Sequence, residues 1–208
     1  MPINQKHKVF ISYHHANDQS YKEYLLQLNN LYDIFIDRSV NTGDIDDSLD
    51  DQSIRAKIRD EYLVDSTVTI LLVGNETWGR KHIDWELYSS MFDGVVNKKS
   101  GILVINLPSA NSSHVTAGHG QLEKGTIHPN ITNWISIDRA EYDRRYPNMP
   151  DRIIDNLLVT NSKISVVPWD LIVNNPEKLR LLIEYTNADR IEARYDLSRE
   201  MRRKNANE

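Results

Sequence analysis

Glu86 is the residue whose type and position point most directly to chemistry. It follows an apolar, β-branched run, Thr67–Val73, that predicts a buried strand, and then a polar loop, Gly74–His82. A helix is expected to begin near Ile83, which places Glu86 in its first or second turn. A carboxylate near the positive end of a helix dipole tends to stay ionised, so it can stabilise a cation or act as a base. Glutamate is also favoured there for structural reasons, and position alone favours that structural role.

Polar side chains also follow the first two predicted strands. At the carboxyl end of the strand Lys8–Tyr13 lie Ser12, Tyr13, His14 and His15, and Asp37 ends the strand Ile34–Asp37. Ligands bind at the carboxyl ends of strands in open α/β sheets. If the strand order is the flavodoxin-like 2-1-3-4-5, the residues after strand one face the loop before Glu86, and Asp37 borders the same crevice. For His14 and His15, a site role and a structural role are both open.

Several standard sites are absent or disfavoured. No strand is followed by the dinucleotide-binding fingerprint GxGxxG or by the phosphate-binding loop GxxxxGK[ST]. One loop carries an acidic cluster: Asp44, Asp46, Asp47, Asp50 and Asp51. It fails as a calcium loop because Leu49 and Arg55 stand where Gly and Glu are needed. The preferred interpretation is a solvated loop whose last acids stabilise the start of the next helix, although some of these acids could line the site.

Three histidines, His114, His119 and His128, lie in a polar stretch over residues 109–130. Without cysteine or an HExxH motif, surface histidines are favoured over a metal site, and no metal is predicted. A phospho-acceptor receiver domain would need acidic residues after strand one and an Asp after strand three. Ser12–His15 and Gly74–Asn75 stand there instead.

Composition narrows the class of protein. The chain has 208 residues, 26% of them charged, and a formal net charge of -5, which disfavours non-specific nucleic-acid binding. It has no cysteine, which excludes disulfides and thiol catalysis and fits a cytoplasmic protein. Neither a signal peptide nor a membrane-spanning run is expected.

Alternating strands and helices predict an α/β protein with a flavodoxin-like parallel sheet of about five strands. Two further strands are expected at Gly101–Leu107 and Trp134–Ile137. Helices are expected at Tyr21–Leu31, Ser53–Val64, Ile83–Val96, Asp151–Thr160, Pro176–Thr186 and Asp189–Lys204. Residues 109–130 are expected to form a long surface insertion. One domain is predicted, with a core over about 6–138 and a C-terminal helical extension over about 139–208.

Two motifs carry a family resemblance. KVFISYHHAND at 8–18 and TVTILLVGNETWGRKHIDWEL at 67–87 resemble the Toll/interleukin-1-receptor (TIR)-like domains of bacteria, and more closely the TIR-like subunit of Thoeris anti-phage systems. The tail YDLSREMRRKNAN is similar to the C-termini of these proteins, whereas residues 109–130 match nothing in them. The motifs cover roughly the first half of the chain.

The resemblance implies an enzyme with NAD as substrate and no cofactor. The family's glutamate, which works at the nicotinamide–ribose bond, corresponds to Glu86. Phe10 and Ser12 belong to the FISY part of the strand-one motif, and Asp37 lies at the end of strand two. Trp85, Tyr13 or Phe10 could stack on a substrate ring, although a core role is as good an interpretation for each.

Further expectations follow from the resemblance. The product would be an ADP-ribose-derived signal, hydrolysed, cyclic or conjugated, that a separate effector protein reads during antiviral defence. A phage-derived trigger and a homo-oligomer that completes the site between subunits are part of this expectation. The main alternative is a TIR-type interaction scaffold without chemistry. A third is flavin binding on the flavodoxin-like frame, which nothing after strand one supports.

Overall fold

The core of the fold is a parallel sheet of five strands. The computed structural model describes residues 6–39 and 48–206, and the strand order in its sheet is β2-β1-β3-β4-β5. The strands are β1 (Lys8–Ser12), β2 (Ile36–Asp37), β3 (Val68–Val73), β4 (Gly101–Asn106) and β5 (Ser165–Pro168). The predicted flavodoxin-like order is therefore confirmed.

Helices cover both faces of this sheet. They are α1 (His15–Tyr32), α2 (Asp51–Lys57), α3 (Lys81–Met91), α4 (Gly120–Ile127), α5 (Arg139–Arg145), α6 (Asp151–Leu157), α7 (Trp169–Val173) and α8 (Pro176–Asp189). A π-helical turn, Ile58–Tyr62, continues α2, and single 3₁₀ turns lie at Thr77–Gly79 and Pro108–Ala110.

Strand β3 shows why the sheet needs helices on both sides. All six of its residues are buried, and they alternate between two apolar clusters. Ile70 and Leu72 pack in the cluster that contains side chains of α1 and α8. Leu71 and Val73 pack in the cluster that contains side chains of α3 and α6. A strand buried on both faces reads as a continuous apolar run, which is why β3 was recognisable in the sequence.

The predicted fifth strand at Trp134–Ile137 is wrong. Those residues form no strand, and Ile135 is 62% exposed. The fifth strand is β5, which pairs with β4 through Val104↔Val166 and Ile105↔Val167. Its two valines are fully buried, although β5 is an edge strand of the sheet. Because β5 lies within 139–208, the range predicted as a helical extension contributes a strand as well as α5–α8.

Two other expectations about the second half need correction. Residues 109–130 contain the helix α4 and an antiparallel bridge between Thr116 and Val166, so they fold back onto the edge of the sheet.

The predicted helix over Asp189–Lys204 is wrong, because regular helix ends with α8. Beyond it, tail N–H groups bond to other elements: Arg202 N–H donates to an Asp84 carboxylate oxygen (2.8 Å) and Ala206 N–H to the Gly79 carbonyl (2.9 Å).

Part of the acidic cluster can be placed. Asp50 caps α2, and its carboxylate accepts hydrogen bonds from the N–H groups of Gln52 and Ser53. Hydrogen bonds from Ser53 lower the pKa of Asp50. The role predicted for acids at this helix start is confirmed for Asp50 and Asp51, whereas Asp44, Asp46 and Asp47 lie outside the described residues. None of the helices described is long and apolar enough to span a membrane.

Candidate functional site

The structure brings Ser12 and Glu86 together at the carboxyl end of β1. The Ser12 hydroxyl donates a hydrogen bond of 2.6 Å to Oε2 of Glu86. Ser12 is fully buried and Glu86 is 4% exposed. A hydroxyl donor at this distance stabilises negative charge on the carboxylate and fixes its orientation. The juxtaposition expected from the strand order is therefore present.

Helix α3 holds Glu86 in place. Ile83, Leu87 and Met91 lie on one face of α3 and pack in the cluster with β3 and β4, and this packing points Glu86 towards β1. The helix begins at Lys81, two residues before the predicted start. Glu86 is thus the sixth helical residue, where the effect of the helix dipole is small. The hydrogen bond from Ser12 therefore bears on the orientation of Glu86 more than the helix terminus does.

Tyr13 lies close enough to Glu86 to sense its charge. Burial raises the pKa of the Tyr13 phenol, and the negative charge of Glu86 raises it further. Its hydroxyl donates to Oε1 of Gln19 at 2.6 Å, and its ring stacks on His15 with centroids 4.5 Å apart. Tyr13 is therefore a neutral hydrogen-bonded side chain bordering the candidate carboxylate.

His14 has a clear structural role at the start of α1. Its Nδ1 accepts the N–H of Asn17 at 3.0 Å, which caps the helix. Its Nε2 lies 3.9 Å from a carboxylate oxygen of Glu76 in the loop after β3, and Glu76 also accepts a hydrogen bond from Arg80. Burial, followed by the positive charge of Arg80, lowers the pKa of His14. The ring is therefore neutral at pH 7 and lies between the loops after β1 and β3.

Asp18 belongs to the same edge of the sheet and was missed by the sequence reasoning. It is 2% exposed, and burial, with a further contribution from Glu76, raises its pKa to about 6. Gly74, the residue after β3, lies directly against it, since a Cβ on Gly74 would lie 2.4 Å from Oδ1 of Asp18. The available signal was an acid in the first turn after strand one, beside a glycine that follows strand three.

The structure places Phe10 and Trp85 in a buried cluster. Phe10 is 1% exposed and Trp85 is fully buried, and both pack with Met201 of the tail. The indole N–H of Trp85 donates to the carbonyl of Arg202 at 2.7 Å. Of the two roles left open for these rings, the structure shows the core role. Stacking on a substrate would require them to become exposed.

Asp37 lies apart from the Ser12–Glu86 pair. It is exposed, and its carboxylate accepts the N–H of Ser39 at 2.8 Å. In the sheet it stands opposite Val9, three residues before Ser12, which corresponds to about 10 Å along the strand. Within the described residues, no hydrogen bond joins Asp37 to Ser12 or Glu86.

A buried ion pair fixes the start of α3. Nε and Nη2 of Arg152 donate to the two carboxylate oxygens of Asp84 at 2.8 and 3.0 Å. The side chains are 0% and 9% exposed. The guanidinium also donates to the carbonyls of Arg199 and Glu200 in the tail, at 3.1 Å each. Asp84 and Arg152 thus hold α3, α6 and the tail together two residues from Glu86.

The three histidines of the insertion differ in exposure. His114 is exposed as expected, but the side chains of His119 and His128 are 4% and 2% exposed, so the surface interpretation is wrong for these two. Both lie near Glu123, which is fully buried and accepts a hydrogen bond from Ser165 at 2.9 Å. They are buried because α4 packs against α8 and β5. Among the residues that the structure describes, no group of three or more His, Asp or Glu is arranged to hold a metal ion.

Comparison with known proteins matches the first half of the chain to a family model. Residues 10–112 match the family model for the TIR-like domain of the Thoeris protein ThsB. The matched segment contains the last three residues of β1 and all of β2, β3, α3 and β4, and with them Ser12 and Glu86. The chain matches none of the curated proteins with which it was compared.

Proposed function

Since the chain belongs to the Thoeris ThsB TIR-like family through residues 10–112, we propose that it cleaves the nicotinamide–ribose bond of NAD, with Glu86 as its catalytic carboxylate. The observation that carries this proposal is the buried hydrogen bond of 2.6 Å between Ser12 and Glu86 at the switch point between β1 and β3. Ligands of open α/β sheets bind at such switch points.

The chemistry requires one well-placed carboxylate. When the C1′–N bond breaks, its electron pair leaves with the nicotinamide nitrogen, and the ribose acquires oxocarbenium character. The leaving group is neutral, so no general acid is needed. Glu86 either stabilises the cation electrostatically or bonds covalently to C1′. The ribosyl group is then captured by a nucleophile. Capture by water gives ADP-ribose, capture by another atom of the same molecule gives a cyclic isomer, and capture by a separate nucleophile gives a conjugate.

Burial of the carboxylate supports regulated rather than constitutive activity. Glu86 is 4% exposed, so a molecule of the size of NAD cannot reach it in this conformation. Entry of substrate therefore requires residues around Glu86 to move. A phage-derived trigger or self-association could supply this rearrangement. In this proposal the product is a signal for a separate effector protein in the cytoplasm.

The proposal is tested by comparing small molecules from phage-infected cells that express the wild type, Glu86→Gln or Asp93→Asn. Asp93 is an exposed acid that follows α3, so Asp93→Asn controls for loss of one negative charge. We expect a new ADP-ribose-derived species with the wild type and with Asp93→Asn, reduced a hundredfold or more by Glu86→Gln. No new species in any strain, with protection against phage intact in all three, would refute the enzyme and favour the interaction scaffold.

A further inference from the structure

A cavity of about 430 Å³ lies beside β5, the edge strand of the sheet. Its walls come from residues 115–118 and 134–137, from side chains of α4 and α5, and from the residues that lead from α6 into β5. Its volume falls within the ~300–1,000 Å³ typical of pockets for small molecules. The cavity is therefore large enough for a ligand of mononucleotide size.

This cavity is separate from the Ser12–Glu86 pair. In the sheet order β5 lies three strands from β1, which corresponds to about 14 Å. Ser162 and Lys163 line the cavity just before β5 begins, whereas Ser12 is the last residue of β1. The cavity thus lies towards the amino end of its strand. All of its lining residues also fall outside the segment 10–112 that matches the family model.

The charged side chains that line the cavity all have the same sign. They are Lys124, Arg145 and Lys163, and none of the described residues that line it is acidic. All three are partly exposed, so they are accessible to a solute. The chain as a whole carries more acids than bases, with a formal net charge of -5. The lining therefore runs against the composition of the chain, and such a cavity attracts anions.

An acid outside the cavity offsets only part of the charge on α5. Nε of Arg145 donates to Glu141 at 2.6 Å, but Glu141 also accepts two hydrogen bonds from Arg144, at 2.7 Å each. One carboxylate thus serves two guanidinium groups. Burial lowers the pKa of His114, and the positive charges of Arg145 and Arg144 lower it further. The excess of positive charge is therefore felt by a neighbouring side chain.

The two lysines are also only partly neutralised. Nζ of Lys163 lies 3.3 Å from Oδ2 of Asp189, and the same oxygen lies 2.8 Å from Nδ1 of His119. Nζ of Lys124 lies 5.0 Å from the centroid of the Trp134 ring, and within the described residues it forms no ion pair. The cavity therefore retains positive charge that a phosphate monoester, with a charge of about −1.5 to −2, would offset.

The backbone holds Lys163 in an uncommon conformation. Its φ is 57°, in the left-handed region that residues with a Cβ rarely adopt. Gly118 packs so closely that a Cβ there would lie 2.7 Å from the carbonyl carbon of Lys163. A glycine would adopt this φ with less strain, so the fold alone gives no reason for a lysine here. Conformations of this kind cluster at functional sites.

The rest of the lining supplies apolar surface. Ile135 and Leu158 line the cavity and are 62% and 44% exposed, and Trp134 is partly exposed beside Ile135 in the chain. Contact with a ring would remove part of this apolar surface from water, which is favourable. A ligand that matches both parts of the lining therefore combines a phosphate with a ring.

We propose that this cavity is a second ligand site, which binds a phosphorylated small molecule of about mononucleotide size. Lys124, Arg145 and Lys163 bind the phosphate, since charge-assisted hydrogen bonds from such groups are the strong ones. Ile135 and Leu158 contact the ring. The site goes beyond the proposed function, because it requires neither NAD nor Glu86.

The test is binding of uridine 5′-monophosphate (UMP), which is not a part of NAD, measured by calorimetry. Uridine supplies the same ring without the phosphate, and inorganic phosphate supplies the charge without the ring. We expect UMP to bind the wild type at least tenfold more tightly than either probe, and less tightly as salt is added, because salt screens the charges. The measurement needs no turnover, so its result does not depend on the reaction proposed for Glu86.

Two substitutions on α5 form a matched pair. Arg145 and Arg144 both donate to Glu141, but Arg145 lines the cavity whereas Arg144 is 68% exposed outside it. We expect Arg145→Gln to weaken UMP binding about tenfold and Arg144→Gln less than about twofold. Lys163→Gly separates binding from stability. It should weaken UMP binding about tenfold while the melting temperature stays the same or rises, because glycine relieves the strained φ.

Three results would overturn the inference. The first is UMP affinity that is undetectable in the wild type or no greater than that of uridine. The second is an equal effect of Arg145→Gln and Arg144→Gln, which would show that UMP is attracted only by a basic surface. The third is unchanged UMP affinity in Lys163→Gly together with a lower melting temperature, which would show that this lysine serves the fold alone.

Discussion

Replacing Arg152 with methionine should destabilise the protein far more than replacing an exposed arginine of the tail. In Arg152→Met the Asp84 carboxylate would stay buried without its guanidinium, and the carbonyls of Arg199 and Glu200 would lose their donors. Methionine has a similar length and no charge, so the change removes the ion pair with little loss of volume.

The expected cost follows from the burial of the pair. The two side chains are 0% and 9% exposed, and breaking a buried pair by removing one partner costs about 3–5 kcal/mol. For a chain of this size, 1 kcal/mol corresponds to about 2–4 °C in melting temperature. The melting temperature of Arg152→Met should therefore fall by about 6–20 °C.

The matched control is Arg203→Met. Arg203 also pairs with an acid, Asp51, but these side chains are 48% and 39% exposed, and exposed pairs contribute about 0–1 kcal/mol. Thermal unfolding at pH 7 provides the comparison. Amide hydrogen exchange should also show faster exchange at Arg202 and Ala206 in Arg152→Met, because the tail loses its anchor. Equal melting temperatures for the two variants would refute the reasoning about the buried pair.

Three further predictions concern the strand ends and the packing of glycines. Ser12→Ala removes the donor to Glu86 and should lower NAD turnover about 10- to 100-fold, the effect of one hydrogen bond to a charged group; unchanged NAD consumption would contradict this. Burial raises the pKa of Asp18 from 3.8 to about 6, so folding favours its protonated form and the stability of the wild type falls as pH rises through this range. Asp18→Asn should therefore melt at a higher temperature than the wild type at pH 8 and at the same temperature below pH 4, and a difference that does not vary with pH would show that the charge is not responsible. Gly101→Ala would place a Cβ 2.3 Å from a backbone oxygen of α8 and should cost about 1–3 kcal/mol, whereas Gly125→Ala, with no atom within 4 Å, should stabilise α4 by about 0.5–1 kcal/mol in denaturant unfolding.

The sequence was sufficient to predict the four strands that carry continuous or alternating apolar runs, and the strand order was assumed from the flavodoxin-like fold class that their alternation with helices predicted. That order places Ser12 near Glu86, because parallel strands end at one edge of the sheet. Strand β5 was missed because its apolar core is only two residues, Val166 and Val167, followed by Pro168. A run that short does not distinguish a strand from a loop.

Long-range side-chain pairs were beyond sequence reasoning. Asp84 and Arg152 are separated by 68 residues, and their pairing depends on how α6 and the tail pack against α3. The helix predicted over the tail failed for a related reason. Its charged residues suit a helix, but its backbone groups form better hydrogen bonds with α3 and the loop before it. Tertiary contacts thus overrode local preference.

The buried polar groups at the strand ends lower the stability of the fold if their role is only structural. A buried serine–glutamate pair between β1 and α3 loses the hydration of a carboxylate, and well-packed apolar side chains would join the two elements at least as well. Asn106, whose amide atoms are unpaired within the described residues, is a further cost at the same edge. Both costs fall where an α/β sheet binds its ligand, and a water-excluded carboxylate is what stabilisation of a ribosyl cation requires. The Ser12–Glu86 pair and Asn106 therefore favour a substrate site at this edge of the sheet over a scaffold, which would have no need of polar side chains at these positions.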